Sequence, residues 1–218
     1  MKHLKIIISV LFAMILFSCN GTQKEDVKTV EQISVNKPAP NADKELPNEN
    51  TFEETAYSVI KAFEQKDEKS LNELVSTKHG VIVLFRTGVF NEYKHIDNVE
   101  FKNHVPKTFP YPAITIDKKI VYEDLPRFNC GTMEWSKHGI YCDTIKKDTL
   151  LSGTPLNLIK YRGDKISESQ VNKFKELEKI SRRVILATPK DDFIFHLALI
   201  DNKWYLIVID RITTDCSA

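Results

Sequence analysis

Imidazoles and carboxylates carry most acid–base chemistry near neutral pH. Beyond His3 the chain holds five histidines: His79, His95, His104, His138 and His196. No two of them stand at the two- to four-residue spacings that ligate zinc from one helix or strand. No His-Glu-x-x-His, Walker, Gly-x-Ser-x-Gly or dinucleotide glycine pattern occurs, so no metal or cofactor is predicted. His196 is the candidate for general acid–base work. It lies inside an apolar run from Phe193 to Ile200, where an imidazole needs a hydrogen-bond partner. A satisfied core histidine is the commoner use of such a position. Asp192, Asp210 and Asp215 could supply a carboxylate. A two-residue turn at Asp201 and Asn202 places Asp192 opposite Arg211, as a sheet-end ion pair rather than a site. Tyr93, Phe101, Phe109, Tyr111, Tyr122, Trp135, Tyr141 and Trp204 could line a pocket, and the bulk of them are expected in the core.

Helices and strands must position these groups. Thr51 and Glu54 form a capping box, followed by Phe52, Ala56, Val59, Ile60 and Phe63 on one helical face. Asp67 restarts a short helix with Leu71, Leu74 and Val75 inward, and Gly80 closes it. Val81 to Phe85 is a buried strand by its β-branched content. Prolines and histidines interrupt residues 91–126, with strands expected at Ala113–Ile116 and Lys119–Tyr122. Phe128–Trp135 and Ile140–Ile145 form a hairpin over Ser136 to Gly139. Thr154 caps a helix with Pro155 at its first position, and Gly163 stops it. Ser167 and Gln170 open a further helix with Val171, Phe174, Leu177 and Ile180 inward. Strands Arg183–Thr188, Phe193–Ile200 and Trp204–Ile212 finish the chain. The last hairpin is apolar on both faces, so it is covered on both sides, or on one side plus a pocket. The fold class is α+β, a curved antiparallel sheet packed with helices.

The first 18 residues are expected to be a targeting segment. Lys2 and Lys5 precede an uncharged apolar stretch, Ile6 to Phe17. Twelve residues make about 18 Å of helix, short of the roughly 30 Å hydrocarbon core. Leu16-Phe17-Ser18-Cys19 resembles a lipobox. The resemblance implies cleavage before Cys19 and acyl chains on that cysteine, which hold the protein on a bacterial membrane. Loss of the segment with its two lysines turns the formal net charge of +1 into −1. A nucleic-acid partner would want a basic face, and none is predicted. Residues 19–50 are rich in Asn, Lys, Glu, Gln and Pro without a hydrophobic period, as expected of a flexible tether reaching on the order of 30 Å. Lys24-Glu25-Asp26 resembles the acidic tag of surface-exposed Bacteroidota lipoproteins; a merely solvated tether is the equal alternative. Residues 51–218 form the single domain.

Export places the remaining cysteines in an oxidising compartment. With Cys19 acylated, Cys130, Cys142 and Cys216 allow one intrachain bond at most. In the expected hairpin, Cys130 and Cys142 are out of register and point to opposite faces. A bulge at Gly131 leaves that pairing open. Cys130–Cys216 is the predicted bond, with Cys142 a buried free thiol.

Ala62-Phe63-Glu64-Gln65-Lys66-Asp67-Glu68-Lys69-Ser70-Leu71 resembles the opening of NTF2-like domains, and Asp201 to Leu206 their terminal hairpin. That resemblance implies a cone around a cavity, into which His196 could point as a base. The end, from Lys203 to Ala218, resembles Bacteroidota lipoproteins without an assigned activity. Three functions stay open. The first is a lipid-anchored envelope module that binds a small ligand or an envelope protein without catalysis. The second is a small-cavity enzyme using His196, and the third a structural or protective envelope protein.

Overall fold

The computed structural model describes residues 51–115, 117–144 and 149–217. The targeting segment, Cys19 and the tether lie outside them, as do Ile116 and Ile145. The chain enters through α1 (Phe52–Gln65). The Thr51 hydroxyl accepts from the Glu54 N–H, and the Glu54 carboxylate takes the Thr51 N–H at 2.7 Å, so two orphan donors are satisfied. Lys66 turns left-handed, and Asp67 caps α2 (Glu68–Glu73) through the Ser70 N–H. Gly80 then turns the chain with φ +60°; a Cβ there would meet the Ile96 carbonyl at 2.6 Å, so only glycine fits.

The strands follow as β1 (Val81–Arg86), β2 (Asn91–Ile96), β3 (Ile120–Tyr122), β4 (Phe128–Asn129), β5 (Glu134–Trp135) and β6 (Gly139–Cys142). Helices α3 (Leu150–Asn157) and α4 (Glu168–Lys179) precede β7 (Ser181–Ala187), β8 (Asp192–Ile200) and β9 (Lys203–Asp210). Seven strands make one sheet in the order β2-β1-β9-β8-β7-β6-β3, while β4 and β5 pair separately. The sheet is mixed, which corrects the antiparallel expectation: β1 runs parallel to β9, and β3 parallel to β6. It is not strongly curled. Asp201 and Asn202 have φ of 49° and 63°, the pair of positive values that a tight β8–β9 turn requires.

Both faces of the sheet are covered, which explains the two-sided apolar β8. On the first face Val83, Leu186, Phe195 and Leu206 pack with Ala56, Val59 and Phe63 of α1. Phe63 stacks on Phe193 at 3.8 Å between ring centroids. On the second face Leu84, Ala198 and Val208 pack with Leu151 of α3 and with Phe174 and Leu177 of α4. Further along that face Ile185, Ala187 and Ile194 meet Trp135 of β5. Between His196 and Leu197 the β8–β9 register shifts by one residue. Ile207 and Val208 consequently share the second face, as at a β-bulge.

Four local expectations are overturned, the first being the strand at Ala113–Ile116, since residues 113–115 carry no strand. Phe128–Trp135 does not pair with Ile140–Cys142: β4 and β5 close a hairpin of their own, and β6 lies between β7 and β3. Pro155 lies inside α3, which starts a turn earlier at Leu150 and passes into a π-helical turn, Leu158–Arg162, ended by Gly163. Thr154 is therefore no cap; its hydroxyl donates back to the Leu150 carbonyl at 2.8 Å. Ile180 ends α4 exposed rather than inward. Among the described residues no helix is long and apolar enough to cross a membrane.

Candidate functional site

A cleft of about 620 Å³ opens at the end of the sheet where β1 and β9 finish and β8 begins. Alternation and register decide what reaches it. Phe85 and Arg86 end β1, Ile209 and Asp210 end β9, and Asp192 and Phe193 open β8. The outer wall is the proline-rich stretch with Phe109, Pro110 and Tyr111, and the opposite rim carries Met133, Thr214 and Ser217. Crevices outside the carboxyl ends of parallel strands are common ligand sites, and β1 and β9 are such a pair.

Arg211 builds the outer wall. Its guanidinium donates to the Val105 and Phe109 carbonyls at 2.7 and 2.6 Å and to the Pro110 carbonyl at 2.8 Å. It also lies over the Tyr111 ring at 5.2 Å. One side chain thereby holds a segment that has no helix or strand to order it. Burial pulls Arg211 below its ordinary value, while Tyr111 and Asp192 oppose. The Tyr111 hydroxyl is buried without a hydrogen bond of good geometry.

Asp192 and Arg211 both line the cleft but are not cross-strand partners: beyond the bulge Ile194 pairs with Asp210, which brings Arg211 opposite Phe193. The expected Asp192–Arg211 ion pair does not form, because the bulge shifts β9 by one and Arg211 turns to carbonyls instead. The Asp192 carboxylate accepts from the Thr214 hydroxyl at 3.3 Å. Burial pushes it up to about 6. Thr214 and the nearby Trp135 indole N–H work against that rise; Asp210 and Asp191 add repulsion. Asp215, a carboxylate candidate from sequence, accepts at its carbonyl from Arg86 at 3.1 Å.

The rim of the cleft is tied by the Cys130–Cys216 disulfide, with the two Cα atoms 5.6 Å apart. It joins the β4–β5 turn to the C-terminal segment. Cys142 is free and buried. Its thiol is pushed up to about 12 by burial, against the opposing pull of Arg182. Arg182 lies over the rings of Phe52 and Tyr122 at 4.7 and 5.2 Å and donates to the Asp143 carbonyl.

His196 does not line the cleft. It is buried on the second face of the sheet, cross-strand from Arg183. Arg183 pairs with the fully buried Asp210 at 2.5 Å. Burial opposes ionisation of Asp210, but Arg183, Thr213 and the Ile212 N–H overcome it and hold the carboxyl below its usual range. His196 is near enough for its charge to add to that effect. The cluster sits between the two apolar patches of the second face and binds β7, β8 and β9 together. His196 and the Asp210 carboxylate therefore do converge, but Asp210 alone reaches the cleft lining, and His196 stays in the packed seam behind it.

The other histidines are dispersed. His95 Nε2 meets the His79 carbonyl at 2.6 Å, and His104 Nδ1 meets the Pro106 carbonyl at 2.9 Å. The His138 carbonyl accepts from the Tyr141 hydroxyl. Among the described residues no group of three metal-ligating side chains converges. Of the eight aromatics named from sequence, Phe109 and Tyr111 line the cleft. Sequence reasoning missed Arg86 and the cleft role of Asp192. The available signal was two consecutive acids, Asp191 and Asp192, placed against a strand buried on both faces. No family model, curated protein or solved structure matches the chain.

Proposed function

We propose that this chain is a lipid-anchored envelope protein whose domain binds a small ligand in the cleft at the sheet end, without catalysis. The observation that carries the binding half is the cleft itself. It combines apolar walls, Phe85, Phe109 and Met133, with a few converging polar groups, the usual composition of a ligand site. His196, the best candidate base, lies outside it in a cluster that fixes strands. The anchor half rests on the basic start, the short apolar stretch and Ser18-Cys19. A tether from Cys19 would hold the cleft away from the bilayer. The break between α1 and α2 at Asp67 and the terminal β8–β9 hairpin support an NTF2-like build for that part of the domain.

Each half has its own test. Metabolic labelling with a fatty-acid analogue should mark the wild type, and Cys19→Ala should abolish the label. Equal labelling of both would remove Cys19 as the anchor. Native mass spectrometry of protein taken from its own envelope should show a small molecule that is lost in Phe109→Ala, which opens the cleft mouth. A ligand retained in full by that variant would place binding elsewhere.

A further inference from the structure

Among the charged side chains that line the cleft, Arg211 and Asp192 are half-buried, opposite in sign and not held in an ion pair among the described residues. Arg211 is surrounded by three neutral carbonyls. Asp192 has only neutral partners, the Thr214 hydroxyl and the nearby Trp135 indole N–H. Among the described residues neither forms an ion pair, although both line the same cleft and feel each other's charge. Half-buried charges normally acquire an opposite charge or give up their own, because water no longer solvates them fully. Here the protein leaves both unneutralised while spending Arg211 on backbone and Asp192 on neutral donors.

We propose that the cleft binds a short peptide with both termini free, its ammonium on Asp192 and its carboxylate toward Arg211. This deepens the ligand-binding reading above and rests on it. Three observations select the class. The two charges stand on opposite sides of the sheet end: alternation puts Asp192 with Ile194 on the second face and Arg211 with Ile209 on the first. A free amino acid carries its charges on adjacent atoms, whereas a peptide gains about 3.5 Å of span per residue and can bridge the gap. Second, the walls between the charges are apolar and aromatic, with Phe85, Phe109, Pro110 and Met133 suited to hydrophobic side chains. Third, the buried Tyr111 hydroxyl beside Arg211 has only the Val105 backbone near its oxygen and can donate to the same carboxylate. Burial raises Asp192, and a ligand ammonium placed on it would supply the cation that favours its ionised form.

The test is calorimetric titration of the oxidised full chain with leucyl-alanyl-phenylalanine in four forms: free, N-acetylated, C-amidated, and blocked at both ends. The free peptide should bind saturably. Each block alone should weaken binding at least about tenfold. In Asp192→Asn the penalty for acetylation should vanish while the penalty for amidation stays, a pattern that general damage to the fold does not produce. If acetylation still costs tenfold in that variant, the ammonium is not on Asp192 and the assignment fails. If all four forms bind alike, the zwitterion claim is wrong, yet the cleft remains a ligand site. If none binds, and native mass spectrometry of envelope-derived protein also finds no ligand, both the peptide assignment and the binding function fall.

Discussion

Asp192 and Asp210 are two aspartates near the same strand ends, and their surroundings drive them in opposite directions. Burial with no cation raises Asp192 to about 6. The folded state then holds its proton more tightly than the unfolded chain, where an aspartate titrates near 4. The stabilisation from that proton is complete below about pH 4 and is lost as pH rises through about 6. Asp192→Asn should therefore unfold like wild type near pH 4 and be more stable near pH 8, by on the order of 2 kcal/mol. Urea midpoints at the two pH values check this; a variant weaker at both would mean that the carboxylate is held by a cation. Asp210 has the contrary linkage, since Arg183 holds it ionised: its contribution is present at neutral pH and lost as acid protonates it below the usual carboxylate range. Arg183→Met leaves that carboxylate buried without its cation and should cost about 3–5 kcal/mol at pH 7. His196→Ala should cost less, roughly 1–3 kcal/mol, and leave ligand affinity in the cleft unchanged. A His196→Ala protein with wild-type melting but altered binding would reverse the assignment of His196 to the packed seam. The sequence marked His196 as a histidine in an apolar strand. It did not disclose Arg183 as a neighbour, because cross-strand partners are set by register, and register here contains a bulge that no local residue announces.

Elements whose ends carry their own chemistry were the legible ones. The Thr51–Glu54 box, Asp67 before α2 and Ser167 before α4 stand where capping rules place them. The turn at Asp201 and Asn202 likewise adopts the positive φ values that such residues tolerate. Residues 97–115 were illegible for a physical reason: their path is set by Arg211, about a hundred positions away, through three carbonyls. Strand β2 was missed because it is a polar edge strand with little burial to pattern it. The start of α3 was misplaced for a related cause. Its first turn has no side-chain cap of its own; the buried Glu178 of α4 takes the Ser152 N–H at 3.2 Å and the Ser152 hydroxyl at 2.5 Å. A cap supplied from another helix leaves no signature in the capped segment. Glu178→Ala should destabilise the fold by about 1–3 kcal/mol and loosen α3 first, seen as faster amide exchange at Leu151 to Gly153. Uniform exchange across both helices would show that α3 and α4 open as one unit instead.

At the scale of the molecule, α+β class and the need to cover β8 on both faces followed from its composition. Strand order did not, since the parallel β1–β9 and β3–β6 pairs join segments far apart in the chain. The cysteine pairing depended on register arithmetic for a hairpin that does not exist. In the structure Cys142 is kept from bonding by its place inside the sheet, between β3 and β7. Cys130 meets Cys216 because the β4–β5 turn and the C-terminal segment converge at the cleft rim. Closing a loop with a sequence separation of 86 is worth on the order of 4 kcal/mol in the chain-entropy model. Cys130→Ser with Cys216→Ser should lower stability by about that amount and weaken ligand binding, because Met133 and Thr214 lose their tie. Unchanged affinity in the double variant, measured where it is still folded, would show that the rim stands without the bond.

That bond also gives the cleft a history. The sheet, its two covered faces and the Arg183–Asp210 seam are held by non-covalent contacts. The rim needs an oxidant as well. If the chain is exported as proposed, a reduced precursor would lack the tie between the β4–β5 turn and the C-terminal segment until it reached a compartment able to remove two electrons. On the proposed reading, competence to hold a ligand would then follow oxidation, with the rim left untied until the Cys130–Cys216 bond closes.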